Sequence, residues 1–225
     1  MRKPKIFIAC DTNKVSEAKR IIAQTQTNKL DIVYKFGLEF FYAKGGREFI
    51  SKLKKKKIFL DLKLHDIPNT VKKSIQGLIS LPINMLTIHT SGGKDMMMAA
   101  MEAVSGSQIK IFGVTALTSL NNDDTKQIFQ RTPSEQVNAM LDLAEQAGID
   151  GVVCSPHELE LVSKRDSLLS ITPGIRVKES DDDQKRVMTP KEAIELGADY
   201  LVIGRPITAS KDINKSLNEI YQSLI

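Results

Sequence analysis

Lys57-Ile58-Phe59-Leu60-Asp61-Leu62-Lys63-Leu64-His65-Asp66-Ile67-Pro68-Asn69-Thr70 begins as an apolar run and ends in alternating charge. The run reads as a buried β-strand from Lys57 to Leu62. Successive strand side chains point to opposite faces, so Asp61 and Lys63 lie on one face, and a charge facing a protein interior is tolerable only when paired. A helical pattern follows from Thr70 to Ser80. A largely apolar strand with paired charges at its carboxyl end and a helix beyond is one β/α unit whose polar end faces a site.

Working outward, the same unit recurs. Strands are expected at Lys5 to Cys10, Asp31 to Phe36, Lys57 to Leu62, Ile83 to His89, Ile109 to Thr115, Gly151 to Cys154, Leu168 to Thr172 and Tyr200 to Gly204. Helical patterns fall between them at Val15 to Thr25, Gly45 to Lys54, Thr70 to Ser80, Lys94 to Val104, Ser134 to Ala147, Pro190 to Gly197 and Lys211 to Leu224. Pro133-Ser134 and Thr189-Pro190 suit helix starts, and Gly148 and Gly197 suit helix ends. Alternating strands and helices predict an α/β protein with a parallel sheet. The first strand is followed by Asp11-Thr12-Asn13 rather than a glycine-rich dinucleotide turn, which favours a closed (β/α)8 TIM barrel over an open doubly wound sheet. At 225 residues, the chain suits one such domain, residues 1–225.

A barrel builds its site from the carboxyl ends of its strands. That rule selects Asp11, Lys35, Asp61, Lys63, His89, Thr118, Arg176 and Arg205. With Asp66 just beyond, Lys35, Asp61 and Lys63 form a cluster of alternating charge, which points to a site more than to a self-satisfied ion pair. The eighth strand ends in Gly204-Arg205-Pro206. Backbone N–H groups at a helix start bind phosphate, the loops after strands seven and eight are the usual barrel phosphate site, and the arginine fork suits phosphate oxygens. The polar stretch from Pro173 to Met188 on the same face is long for a connection and reads as a lid over bound substrate.

Composition excludes other classes. Hydrophobic residues make up 41% and charged residues 26%, as in a globular chain with a sizeable core. Cys10 and Cys154 lie far apart and suggest neither a disulfide framework nor a metal site, which fits a reducing cytoplasm. The apolar run near Met1 is shorter than the roughly 7–15 residues of a signal-peptide core. No stretch approaches the ~18 apolar residues of a membrane span. The net charge of +5 and the lysines from Lys54 to Lys57 read as a solvated face and a field that gathers anionic substrates, not as a nucleic-acid surface, because aromatics are 5% with no tryptophan. His65, His89 and His157 fall on different elements without paired ligand spacing and read as core or rim residues. Met96, Met97 and Met98 read as core packing on a helix.

In these motifs the chain resembles the orotidine 5'-phosphate decarboxylase family of the bacterial type over nearly its whole length. The resemblance rests on Asp11, Lys35 in Tyr34-Lys35-Phe36-Gly37, the run from Asp61 to Thr70, Thr118 in Leu117-Thr118-Ser119, Thr172-Pro173-Gly174-Ile175-Arg176, Asp183-Gln184-Lys185-Arg186, and Gly204-Arg205. It implies conversion of orotidine 5'-monophosphate to UMP and carbon dioxide in de novo pyrimidine synthesis, with no metal or organic cofactor. Lys63 is then the proton donor to ring carbon 6, and Asp61 and Asp66 hold it charged beside the departing carboxylate. Like charges ~4 Å apart cost roughly 4 kcal/mol at an effective dielectric of about 20, an upper scale for ground-state strain. The resemblance further implies that Asp11 and Lys35 bind ribose hydroxyls, Thr118 holds the pyrimidine, and Arg176, Gln184 and Arg205, with Gly204, hold phosphate. It also implies a homodimer in which Asp66 and Thr70 are lent across the interface. Two alternatives remain open. Magnesium-dependent keto-gulonate-phosphate decarboxylases and hexulose-phosphate synthases share the Asp-x-Lys-x-x-Asp strand but carry a metal-binding glutamate where Lys35 stands. A catalytically silent barrel would serve as a binding module.

Overall fold

The structure, a computed structural model, describes residues 4–117, 120–176 and 188–224. Eight parallel strands pair in sequence order and close, β8 against β1. In chain order the first half runs β1 (Lys5–Ala9), α1 (Val15–Gln24), β2 (Asp31–Gly37), α2 (Leu38–Tyr42), α3 (Gly46–Ser51), β3 (Ile58–Leu64), α4 (Pro68–Gln76), β4 (Met85–His89) and α5 (Gly93–Val104). The second half runs β5 (Lys110–Val114), α6 (Asn122–Phe129), α7 (Pro133–Ala147), β6 (Gly151–Val153), α8 (Leu159–Val162), β7 (Leu169–Thr172), α9 (Pro190–Glu195), β8 (Tyr200–Ile203), α10 (Arg205–Thr208) and α11 (Ile213–Ser223). The expected barrel and all eight expected strands are present.

Strand alternation divides the apolar residues into two cores. Outward-facing Ile6, Ile8, Phe36, Ile58, Leu60, Leu86 and Leu201 meet the helices in the larger one. Inward-facing Phe7, Val33, Phe59, Met85, Phe112, Ile171, Tyr200 and Val202 fill the barrel. Phe7 packs on Phe59 and Tyr200 with ring centroids 5.3 and 4.9 Å apart, a tilted contact that suits the ring quadrupoles. These aromatics fill the lower barrel.

Local signals account for the helix boundaries. Thr132 and Thr189 cap α7 and α9 through capping boxes with Glu135 and Glu192, each satisfying backbone N–H groups that the helix leaves unpaired. Gly148 ends α7 at φ 68°, a left-handed conformation that glycine adopts without Cβ cost. Several expectations change, among them a helix α6 (Asn122–Phe129) outside the expected set and an α4 that spans Pro68–Gln76 rather than Thr70 to Ser80. Strand β4 begins at Met85 rather than Ile83, and just before it Asn84 is tied to both neighbouring strands: its Oδ1 accepts from Ile58 N–H at 2.8 Å, its N–H donates to Ile58 O at 2.9 Å and its carbonyl accepts from Lys110 N–H at 2.9 Å. Of the three consecutive methionines, Met96 and Met97 are buried but Met98 is exposed, since each helical residue turns about 100°.

Strand β3 departs most from regularity. It runs to Leu64 rather than Leu62, and its register with β4 slips: Leu60 pairs with Leu86 but Leu64 with Ile88, so β3 advances four residues while β4 advances two. The two additional residues fall in the Asp61–Lys63 segment. Lys63 takes φ 49° there, a left-handed conformation costly for a residue with a Cβ and typical of functional sites.

Candidate active site

Above the aromatic plug lies a cavity of about 460 Å³, lined at its base by Ala9, Phe59, Val153, Ile171 and Val202 and at its rim by charged groups. Asp11 follows β1, Lys35 sits late in β2, and Asp61 and Lys63 sit in the bulged end of β3. They form one alternating chain. Lys35 Nζ lies 2.7 Å from Asp11 Oδ1 and 3.7 Å from Asp61 Oδ2, and Lys63 Nζ lies 2.7 Å from Asp61 Oδ2. The Lys35 and Asp61 side chains are only 12% and 11% exposed, so the centre of the chain is shielded and its ends reach solvent.

Burial alone would raise the Asp61 carboxyl, but Lys35 and Lys63, with hydrogen bonds from Lys63 and Thr87, hold it below the ordinary carboxylate range. Burial likewise disfavours the Lys35 ammonium, and Asp11 and Asp61 outweigh it, holding its pKa above the usual lysine value. At neutral pH the cavity wall therefore carries fixed charges of both signs. Cys10, directly behind, has its thiol pushed up to about 12 by burial, which keeps it protonated and inert.

Two arginines from the ends of β7 and β8 line the same cavity. Arg176, buried just past β7, and Arg205, exposed at the start of α10, line it together with Gly174 and Gly204. A Cβ at Gly204 would make only ordinary contact, 3.5 Å from Ala9 Cβ, so packing alone does not require glycine there. The segment after β7 is tied at both ends: Ile175 bridges Met188, Arg176 N–H donates to Met188 O at 2.9 Å, and Met188 N–H donates to Gly174 O at 3.2 Å. The connection thus leaves and rejoins the barrel beside Arg176. Thr118, Gln184 and most of the expected Pro173 to Met188 lid lie outside the described residues.

Asp11, Lys35, Asp61, Lys63, Arg176, Gly204 and Arg205 are thus brought together around one cavity. Asp66 and Thr70 are not. Within this chain the fourth charge of the cluster is Asp11, whereas Asp66 is exposed and accepts a hydrogen bond from Ile67 N–H at 2.7 Å. Thr70 is exposed on the first turn of α4. His65 and His89, on different elements, stack with centroids 5.2 Å apart. Burial, then His65 and Lys63, push the His89 pKa below its usual value against the pull of Asp61. Thr87, fully buried below His89 on the inner face of β4, donates to Asp61 Oδ1 at 2.9 Å. It is missing from the sequence-derived set, although counting back two residues from His89 along the strand would have placed it inward.

Fold and site together define a (β/α)8-barrel protein with a cavity at its carboxyl-terminal face, lined by a chain of alternating charges and by two arginines. A family model described as "Orotidine 5'-phosphate decarboxylase / HUMPS family" matches residues 4–220, and the chain belongs to that family. It is 45% identical over 224 residues to an orotidine 5'-phosphate decarboxylase of Ehrlichia canis, covering 97% of both chains. It is 45% identical, again over 224 residues, to one from Wolbachia pipientis subsp. Culex pipiens, covering 97% of this chain and 98% of that one. The crystal structure of orotidine 5'-phosphate decarboxylase from Lactobacillus acidophilus superposes with a TM-score of 0.81 at 32% identity, covering 99% of each chain.

Proposed function

We propose that this chain converts orotidine 5'-monophosphate to UMP and carbon dioxide in pyrimidine biosynthesis, without metal or organic cofactor, and that residues 1–225 form one catalytic barrel domain of the cytoplasm. The observation that carries the reading is the Lys63 ammonium, held 2.7 Å from Asp61 at the wall of a cavity that Arg176, Gly204 and Arg205 also line. Phosphate binds at the arginine side, with Gln184 supplied by the lid, and the pyrimidine, held by Thr118, reaches across to Lys63. Asp11 and Lys35 take the ribose hydroxyls. The bond between ring carbon 6 and the carboxylate breaks, its electron pair stays on carbon 6, and carbon dioxide leaves. Lys63 stabilises that pair and then donates its proton to carbon 6, recovering a proton from solvent.

Asp61, kept ionised, lies beside the departing carboxylate and holds Lys63 charged. Energy from binding the non-reacting phosphate closes the site and excludes water, which is how a remote group raises the rate. The Lys35 ammonium argues against the magnesium-dependent alternative, because a cation fixed 3.7 Å from Asp61 repels a divalent ion there. The test follows the ultraviolet absorbance of orotidine 5'-monophosphate after protein is added, with and without excess EDTA. Loss of orotate absorbance at equal rates is expected. Activity that vanishes in EDTA and returns with magnesium would overturn the cofactor-free reading.

We further propose a homodimer with shared sites. Asp66 and Thr70 point outward, and Ile67 beside them is 67% exposed, which suits a surface covered by a second copy; no helix among the described residues is long and apolar enough to cross a membrane. Asp66 then completes the partner's charge chain, and Thr70 reaches the partner's site. Pure Lys63→Ala and Asp66→Ala proteins should be nearly inactive, and mixing them should recover roughly a quarter of wild-type activity. That fraction follows because about half the dimers are mixed and half their sites intact under two-fold symmetry. Subunit exchange seen by mass spectrometry without recovered activity would place Asp66 in its own chain's site or outside catalysis.

A further inference from the structure

The register slip in β3 creates a local problem that one side chain solves. As β3 bows away from β4 between Leu60 and Leu64, the Lys63 N–H loses the carbonyl that a regular ladder would offer it, and an unpaired buried backbone donor is costly. Thr87 Oγ1 sits in the gap and accepts from Lys63 N–H at 2.8 Å. The same oxygen donates to Asp61 Oδ1 at 2.9 Å. A hydroxyl has one proton and two lone pairs, so the two bonds fix each other: an N–H takes a lone pair, and the single proton goes to the carboxylate.

Asp61 Oδ2 is thereby left to face both ammonium groups, Lys63 at 2.7 Å and Lys35 at 3.7 Å. We propose that Thr87 is a positioning residue that sets the geometry of Asp61 and Lys63 together, through one hydroxyl that holds the left-handed backbone of Lys63 and orients the carboxylate facing its ammonium. The methyl group and backbone of Thr87 serve packing, whereas the hydroxyl serves the site. Thr87→Val keeps the shape and removes both bonds; Thr87→Ser keeps both.

The test compares these two variants with wild type in two independent readouts, of which only the kinetic one rests on the decarboxylase reading. In Thr87→Val, kcat for orotidine 5'-monophosphate should fall roughly tenfold to a hundredfold, the scale of a lost hydrogen bond to a charged group, with KM changed by less than about threefold. Thr87→Ser should stay within about threefold of wild-type kcat. Amide exchange at Lys63, followed by NMR, should quicken by roughly tenfold in Thr87→Val alone, and the Asp61 carboxyl should titrate at higher pH with Lys35 and Lys63 unchanged around it. A wild-type chain that does not turn over orotidine 5'-monophosphate would sink the activity reading yet leave the exchange and titration arms to decide on Thr87. Wild-type Lys63 exchange and Asp61 titration in Thr87→Val would overturn the proposal, as would a lower melting temperature with kcat untouched.

Discussion

The two ends of this barrel carry the same residue types in different arrangements. At the amino-terminal end, Lys57 pairs with Asp31 at 2.7 Å and Lys110 with Asp150 at 3.8 Å, each couple separate and with an exposed lysine, Lys57 being 55% exposed. At the carboxyl-terminal end, Asp11, Lys35, Asp61 and Lys63 share partners in one chain whose centre is shielded. Both sets link neighbouring strands of one sheet. Pairing alone therefore does not mark a site. What separates the ends is sharing and burial, because a shielded charge that loses a partner has no water to replace it, whereas an exposed pair dissolves at little cost.

The largest expected contrast is in stability. Lys35→Met removes the cation between two carboxylates, and breaking a buried pair costs about 3 kcal/mol at the low end of its range, since Lys63 still holds Asp61. For a chain of this size that lowers Tm by roughly 6–12 °C. Lys57→Met should cost at most about 1 kcal/mol. Thermal unfolding of the two proteins side by side checks the pair, and equal losses would erase the distinction between the ends.

A smaller contrast lies in the acid limb of stability. Asp61 has a folded pKa below its unfolded value, so its contribution is fully present above the ordinary carboxylate value and is lost as pH falls through the folded one. Lys35 has the opposite sign: its contribution is present below the ordinary lysine value and lost as pH rises through the raised folded one. Asp61→Asn should therefore flatten the loss of Tm below about pH 4 relative to wild type. An acid limb in Asp61→Asn that matches the wild-type one would show that this carboxylate does not set the dependence.

The barrel was legible in sequence because each strand is a short apolar run ended by a turn or a charge, and burial on both faces selects such runs. The site was legible for a related reason: Asp11, Lys35, Asp61 and Lys63 each interrupt an apolar pattern at a strand's carboxyl end. The short helices α2, α8 and α10 were not, since four or five residues are too few to display a 3.6-residue period. Nor was the slip in β3, because two additional residues preserve strand alternation and leave the hydrophobic pattern of 58–64 intact. The role of Thr87 was hidden by its chemistry: strand alternation puts it on the inner face, but a threonine in a strand is ordinary, and only Lys63 N–H and Asp61 Oδ1 beside it reveal what it does.

Lys63 carries the central claim, that the shielded charge chain exists to present one ammonium to the reacting carbon. Its direct measurement is the rate of orotidine 5'-monophosphate decarboxylation by Lys63→Ala in excess EDTA, with Lys57→Ala as the matched lysine from the other end. The expected result is a loss of roughly 10²–10⁴-fold or more for Lys63→Ala, the scale of a missing proton donor, with its fold retained by circular dichroism and Lys57→Ala running at the wild-type rate. A Lys63→Ala protein that folds and decarboxylates as fast as wild type would contradict the account.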